Sequence, residues 1–585
     1  MRVTTILTLC LVWAWGLYAA TYKVGPGQVY TELGQAPWIS LSAGDTVLIH
    51  WRETPYASKI FLRAQGTKES PVVIRGVPNG NGALPVISGE NATTHAQFFG
   101  YFDSLWTEHL GLFLIARGPQ DDYYTYQPKN IVFEYLELTG VKKENSFTDQ
   151  YGRVRHYNPF ASAIHALLVE GLTVRHCRIH DNGQGIFTNS SDVGNMSTDL
   201  LVEYNEIWGN GNADEDGREH NIYAQSLGTV IQYNRLGRLR PGSVGSTLKD
   251  RSSGTVIRYN WIEASGRALD LVEAEDGWEI TTAREDYHDV YVYGNIFTNY
   301  TTKDPYGVNL IHYGFDNSPD IAKEGTLYFY NNTVYIEADQ NVYWYMRLFD
   351  LGSNKDTVAL YNNIINLVAP EGAQTPSELH LMRDYGIANI YDKNWIQQGY
   401  MAGADGFAGE LNIISEPMTG TAPGFNDPAT EDFGLKNDSP CINASAPLPA
   451  SILENHPLNM EYVPHAGVRE RQTVGPALEL GAFENNTVTA IGNTGQIPQY
   501  FELRQNYPNP FNPATVIRFT LPRRERVSLA VYDVSGNRVR VLLNKVLNRG
   551  RHQQRFDAGS LASGTYFYVL KAGNRQLSKK MLLLR

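Results

Sequence analysis

Three short segments gather the residue types that acid–base chemistry needs: REHNIYAQ at 218–225, STLKDRSS at 246–253 and RALDLVEAEDG at 267–277. If Ile222, Leu248 and Leu269 are equivalent inward residues of strands, then Tyr223, Lys249 and Asp270 stack on the outside, about 4.8 Å apart per coil. His220 and Arg251 flank that column, and Glu273, Glu275 and Asp276 follow in a loop. A slip of one residue would turn each side chain to the opposite face. The set suits β-elimination of an acidic sugar, which removes a proton beside a carboxylate. A cation stabilises the enolate-like charge, and Lys249, His220 or Tyr223 serves as base once its pKa is lowered. Arg251 beside Lys249 would lower it by like-charge repulsion. Lys249, Arg251, His220 and Tyr223 are therefore the candidate catalytic residues, and Asp270, Glu273, His312 and Tyr313 the candidates for holding substrate. A solvated face with cross-coil ion pairs, Lys249 to Asp270 among them, uses the same residues. No EF-hand or nonapeptide calcium repeat is present. No metal or cofactor is expected, with Ca²⁺ at the acidic loop 273–276 as the one alternative.

A column of this kind needs a stacked scaffold, and the sequence repeats one. The phrase reads LTVRHCRI at 172–179, LLVEYNEI at 200–207, TVIQYNRL at 229–236, TVIRYNWI at 255–262 and VYVYGNIF at 290–297. It continues as TLYFYNNTV at 326–334 and TVALYNNII at 357–365. Alternating apolar residues make a strand with one buried face. An Asn follows each time: Asn205, Asn234, Asn260, Asn295, Asn331 or Asn332, and Asn362 or Asn363, with Cys177 in the same slot one repeat earlier. An Asn at a corner tolerates a left-handed backbone, and stacked amides can bond along a ladder. A coil of this size cannot bury its own inner face, so it stacks on copies of itself. The amphipathic runs of a helical solenoid are missing. The reading is an all-β chain: a right-handed parallel β-helix over 21–484, then a small Ig-like β-sandwich.

YKVGPGQVYTEL at 22–33, SAGDTVLIHWRETPY at 42–56, GTKESPVVIRG at 66–76 and LPVISGE at 84–90 resemble the first coils of secreted right-handed parallel β-helix proteins, many of them polysaccharide-degrading. DFGLKNDSPCINASAP at 432–447 and ELGAFE at 479–484 resemble their last coils. The resemblance implies a polysaccharide substrate. The KDR segment at 249–251 loosely resembles the Lys-containing catalytic coil of the chondroitin and alginate lyases of this fold. It departs from their pattern, because Ser246, Thr247 and Leu248 stand where paired acidic calcium ligands would precede the lysine. The Asp-Asp and Gly-His-Gly motifs of pectinase-like hydrolases are not found, although Asp270 and Glu273 keep a glycoside hydrolase open. A non-catalytic glycan-binding protein or adhesin is the other alternative. Exposed-type aromatics at 123–126, Trp278 and 343–346 would suit sugar rings, or ordinary burial.

The two ends concern export. Arg2 and the apolar run Ile6–Ala20 read as a secretory signal over 1–20, and no later stretch is long and apolar enough to span a bilayer. Residues 485–500 read as a linker. Beyond it the charge reverses: 501–585 hold 16 Lys or Arg against 4 Asp or Glu, whereas the rest holds 33 against 57, for a net −12 over 585 residues. QNYPNPFNPATVIRFTLP at 505–522, VSLAVYDVSGNRVRVLL at 527–543, SGTYFY at 563–568 and a basic tail give about seven short strands. They closely resemble the type A C-terminal sorting domain of the type IX secretion system. That resemblance implies the secretion machinery as a partner and a secreted or surface-attached protein. An acidic body with no basic stripe excludes nucleic acid, and the chain is expected to act as a monomer. Three cysteines, one of them in the signal, exclude a disulfide framework.

Overall fold

The computed structural model describes residues 19–102, 105–190, 195–213, 219–300, 308–338, 346–368, 378–404, 406–463 and 467–485, and then 502–503, 506, 509, 511–521, 525–547, 550–559, 561–573 and 575–584. Most of the expected signal and linker, and residues 343–345 of one aromatic run, lie outside the described residues. The chain divides into two compact units that part between residues 487 and 488.

The first unit is a parallel β-helix whose coils feed three sheets of 13, 13 and 11 strands. The repeated phrases form the first sheet. Their inward residues Val174, Val202, Ile231, Ile257, Val292, Phe329 and Leu360 lie in unbroken register. All seven are fully buried, so burial of apolar surface coil upon coil supplies the main stabilisation.

At the corner after these strands runs the amide ladder. Each Nδ2 donates to the next Oδ1 through Asn205, Asn234, Asn260, Asn295, Asn332, Asn363 and Asn394, at 2.9–3.2 Å. Each Oδ1 also accepts the backbone N–H of the Asn before it, and the Cys177 N–H closes the series on Asn205. The ladder corrects one expectation. The left-handed residue is not the Asn but its predecessor: His176, Tyr204, Tyr233, Tyr259, Gly294, Asn331, Asn362 and Lys393 have φ of 50–64°. The predecessor reverses the chain, which leaves the Asn main chain and side chain both free to face the next coil. Loops leave at the corners without disturbing this register. One coil takes Lys249 to Asp270 and a far longer one takes Asp270 to His312, yet both keep the strands paired.

The second unit has seven strands among its described residues. Glu502–Leu503, Ala514–Leu521 and Gly550–Asp557 form one antiparallel sheet. Arg538–Leu547, Glu525–Tyr532, Gly564–Ala572 and Arg575–Leu583 form the other. Ile517, Phe519, Leu529, Val531, Tyr568 and Met581 fill the core of this small β-sandwich. Among the described residues no helix is long and apolar enough to cross a membrane. Cys177 and Cys441 are both free and buried.

Candidate active site

Six consecutive strands of the second sheet carry the site: β1 (Gln184–Thr188), β2 (Ile222–Ala224), β3 (Ser246–Asp250), β4 (Arg267–Leu271), β5 (Val308–Tyr313) and β6 (Met346–Leu351). Ile222, Leu248 and Leu269 are paired neighbours and point into the core. The residues after them form the outward column Phe187, Tyr223, Lys249, Asp270, His312 and Asp350. A cleft of about 990 Å³ opens over this column, walled by His220, Tyr223, Lys249, Arg251, Asp270 and Asp316 among others.

Lys249 is the centre. Its Nζ donates to Asp270 Oδ2 at 2.8 Å and to Asp316 Oδ2 at 2.6 Å. Asp316 Oδ2 also lies 3.4 Å from Arg251 Nη2, so it stands between the two cations. An ammonium donating to two carboxylates has no lone pair to offer as a base. Burial opposes ionisation of Asp270, but the His312 hydrogen bond and the charges of Lys249, His312 and Arg267 outweigh it and hold the carboxyl well below its ordinary range. Burial likewise opposes Asp316, whose pKa is nonetheless lowered by the hydrogen bond and charge of Lys249. Both carboxylates are ionised at neutral pH.

The other two proposed bases are also unsuited to that role at rest. Burial pushes the Tyr223 phenol up, and the phenol donates to Glu275 Oε2 at 2.8 Å. His220 is pulled down to about 3 by burial and by the Lys249 charge, so its ring is neutral. Its Nδ1 lies 3.0 Å from the Ser246 backbone N–H. Nδ1 also lies 3.1 Å from the Ser246 carbonyl oxygen, so the ring is pinned to the Ser246 backbone whichever nitrogen carries its proton.

Of the residues expected to hold substrate, only Asp270 lines the cleft. His312 stands behind it, Nδ1 donating to Asp270 Oδ1 at 2.6 Å. Glu273 is buried, and its carboxylate accepts the backbone N–H groups of Asp316, Asn317 and Ser318 at 2.7, 2.8 and 3.0 Å. It thus shapes the loop that presents Asp316. Tyr313 is a correction: one residue beyond His312, it points inward, is fully buried in the core and bonds the His288 carbonyl. Strand alternation forbids both neighbours from facing the cleft. Among the described residues no group of three or more His, Cys, Asp or Glu is placed to hold a metal ion. In the acidic loop Glu273 turns under the strand while Glu275 turns toward Tyr223 and Arg251.

Sequence reasoning missed Asp316 and Arg267. Asp316 follows β5 in an irregular loop that no period marks. Arg267 has the inward parity of Leu269, yet at the very start of β4 it turns to the cleft and reaches Asp270 Oδ1 at 3.5 Å, so strand alternation pointed away from it. The aromatic wall was also missed. His165 stacks on Phe187 with centroids 4.5 Å apart, and Phe187 leans on Tyr223 at 5.1 Å. Rings stacked coil on coil cover one another's faces and turn their edges to the cleft.

Residues 505–584 match the Secretion system C-terminal sorting domain. The chain therefore carries the address for type IX export and reaches the cell surface or the medium. No curated protein matches it in sequence. Among solved structures it is similar to DFA-IIIase from Arthrobacter chlorophenolicus A6 in complex with DFA-III, at 12% identity and TM-score 0.36, over 64% of this chain and 89% of that one. It is also similar to the GH136 lacto-N-biosidase from Eubacterium ramulus, at 13% identity and TM-score 0.27, over 69% and 68%.

Proposed function

We propose that this exported protein binds a polysaccharide strand in the cleft over β1–β5 and cleaves it by hydrolysis. The observation that carries the reading is Asp270 and Asp316 held ionised on either side of one ammonium. Glycoside hydrolysis needs an ionised carboxylate, as base or nucleophile, and a proton donor for the departing oxygen. Asp316, with 28% of its side chain exposed, is the accessible carboxylate. Lys249 and Arg251 position it and keep it charged. Glu275, which accepts the Tyr223 hydroxyl at 2.8 Å and is 60% exposed on the same wall, is the carboxyl placed to deliver a proton to the departing oxygen.

A second reading, β-elimination from a uronate-containing chain, is favoured by Arg267, whose side chain is 31% exposed on the cleft wall. A guanidinium there suits a substrate carboxylate bidentately, and Asp316 rather than Lys249 would take the proton. The test is digestion of a panel of neutral and uronate-containing polysaccharides by the full chain. New reducing ends without ultraviolet-absorbing unsaturation support hydrolysis. Unsaturated ends establish elimination. Binding without any cleavage overturns both and leaves a glycan-binding protein.

A further inference from the structure

The third sheet carries a separate feature. Arg178–His180, Glu206–Trp208 and Arg235–Leu236 are successive strands of it, with His180 paired to Trp208. The two rings stack at 4.5 Å and 19°, so the imidazole covers one indole face. Hydrogen bonds to Asp181 at 2.8 Å and to Glu137 at 3.4 Å fix the imidazole in turn. In the next coil the position equivalent to Trp208 is Gly237, which follows Leu236 as Trp208 follows Ile207. A Cβ there would lie 2.7 Å from the Trp208 Cβ. The glycine therefore brings no side chain onto the second indole face. Trp208 is 37% exposed, and a cavity of about 470 Å³ lies against it, walled by Glu206, Arg235, Arg238, Pro241 and Glu263. Arg235 and Glu263 are paired at 2.8 Å beside the ring.

We infer that this cavity is a second glycan-binding site, for a neutral pyranose residue seated on the open face of Trp208. The C–H face of a pyranose is apolar and packs on an indole face, which offers a large rigid apolar surface. Its hydroxyls meet the charged pair Arg235–Glu263 and Glu206, which accept and donate at the ring's edge. The stacked rings of the cleft offer edges, whereas Trp208 offers a face, so the two sites differ in how they hold a sugar. The connection 237–245 borders both: Gly237 and Pro241 line this cavity, and Val244 lines the cleft.

The inference stands whether or not the cleft is catalytic. It is tested by native gel electrophoresis of the full chain through gels containing hydroxyethylcellulose, galactomannan or glucomannan. The expected result is retardation by at least one of them, weakened about tenfold or more in Trp208→Ala and retained in Asp316→Asn. The same polysaccharide should protect Trp208 of the unaltered chain from oxidation by N-bromosuccinimide, read by peptide mass spectrometry. Retardation equal in Trp208→Ala and the unaltered chain overturns the inference. So does an absence of both retardation and protection with all three polymers.

Discussion

Two columns run along the same solenoid, one at its corner and one on its second sheet. At the corner the residue is Asn in coil after coil, and every amide is both donor and acceptor to its neighbours. On the second sheet the residue changes with each coil: Phe187, Tyr223, Lys249, Asp270, His312 and Asp350. A repeated residue solves the same local problem each time, which is to satisfy buried backbone and amide groups. A column of unlike residues solves no shared problem of folding. It juxtaposes charges that are costly to bury, and the fold tolerates them because they pair.

The sharpest way to break this comparison is to exchange the two kinds of loss. Asp316→Asn should lower turnover by about 100-fold or more while leaving the melting temperature close to that of the unaltered chain. A large loss of melting temperature with activity intact would show that the carboxylate facing Lys249 serves the fold rather than the chemistry. Asn260→Ala should do the opposite, costing roughly 2–3 kcal/mol in urea unfolding because the buried Asn234 backbone N–H loses its acceptor and the amides of Asn234 and Asn295 each lose one partner. Glu273→Gln tests the layer between them. It keeps the shape but weakens the grip on the 316–318 loop, so about tenfold should be lost from kcat/KM with little change in stability.

The smallest effect is with pH. Asp270 has a depressed pKa in the folded chain. Its contribution is present above the unfolded value of about 3.9 and is lost as pH falls through the folded value. Unfolding free energy measured by urea titration between pH 5 and pH 3 should therefore fall, and fall less steeply in Asp270→Asn. Identical slopes would show that the column contributes nothing to acid stability.

Much of this was legible because strands have a period of two. The equivalence of Ile222, Leu248 and Leu269, and with it the Tyr223–Lys249–Asp270 column, follows from apolar alternation alone. Tyr313 was misplaced by neglecting that same alternation one residue further along. The corner was half legible: the ladder Asn is visible in the repeated phrase, but between Asn331 and Asn332 only three-dimensional register decides, and it chooses Asn332. Asp316 was not legible, because a loop has no period and its placement depends on a carboxylate in the preceding coil, Glu273. The seven strands of the C-terminal sandwich were countable from their turn residues.

The indifference of strand pairing to loop length at the corners makes the coil, not the residue, the unit that can be edited. Excising a stretch that begins after Lys249 and ends at Asp270 would close the solenoid with His312 directly over Lys249. Cutting a single residue from within β4 would instead turn its remaining side chains inside out. A lineage of such proteins can therefore reshuffle its chemistry by gaining and losing whole turns of the coil, with the amide ladder acting as the ratchet that clicks each new turn into place.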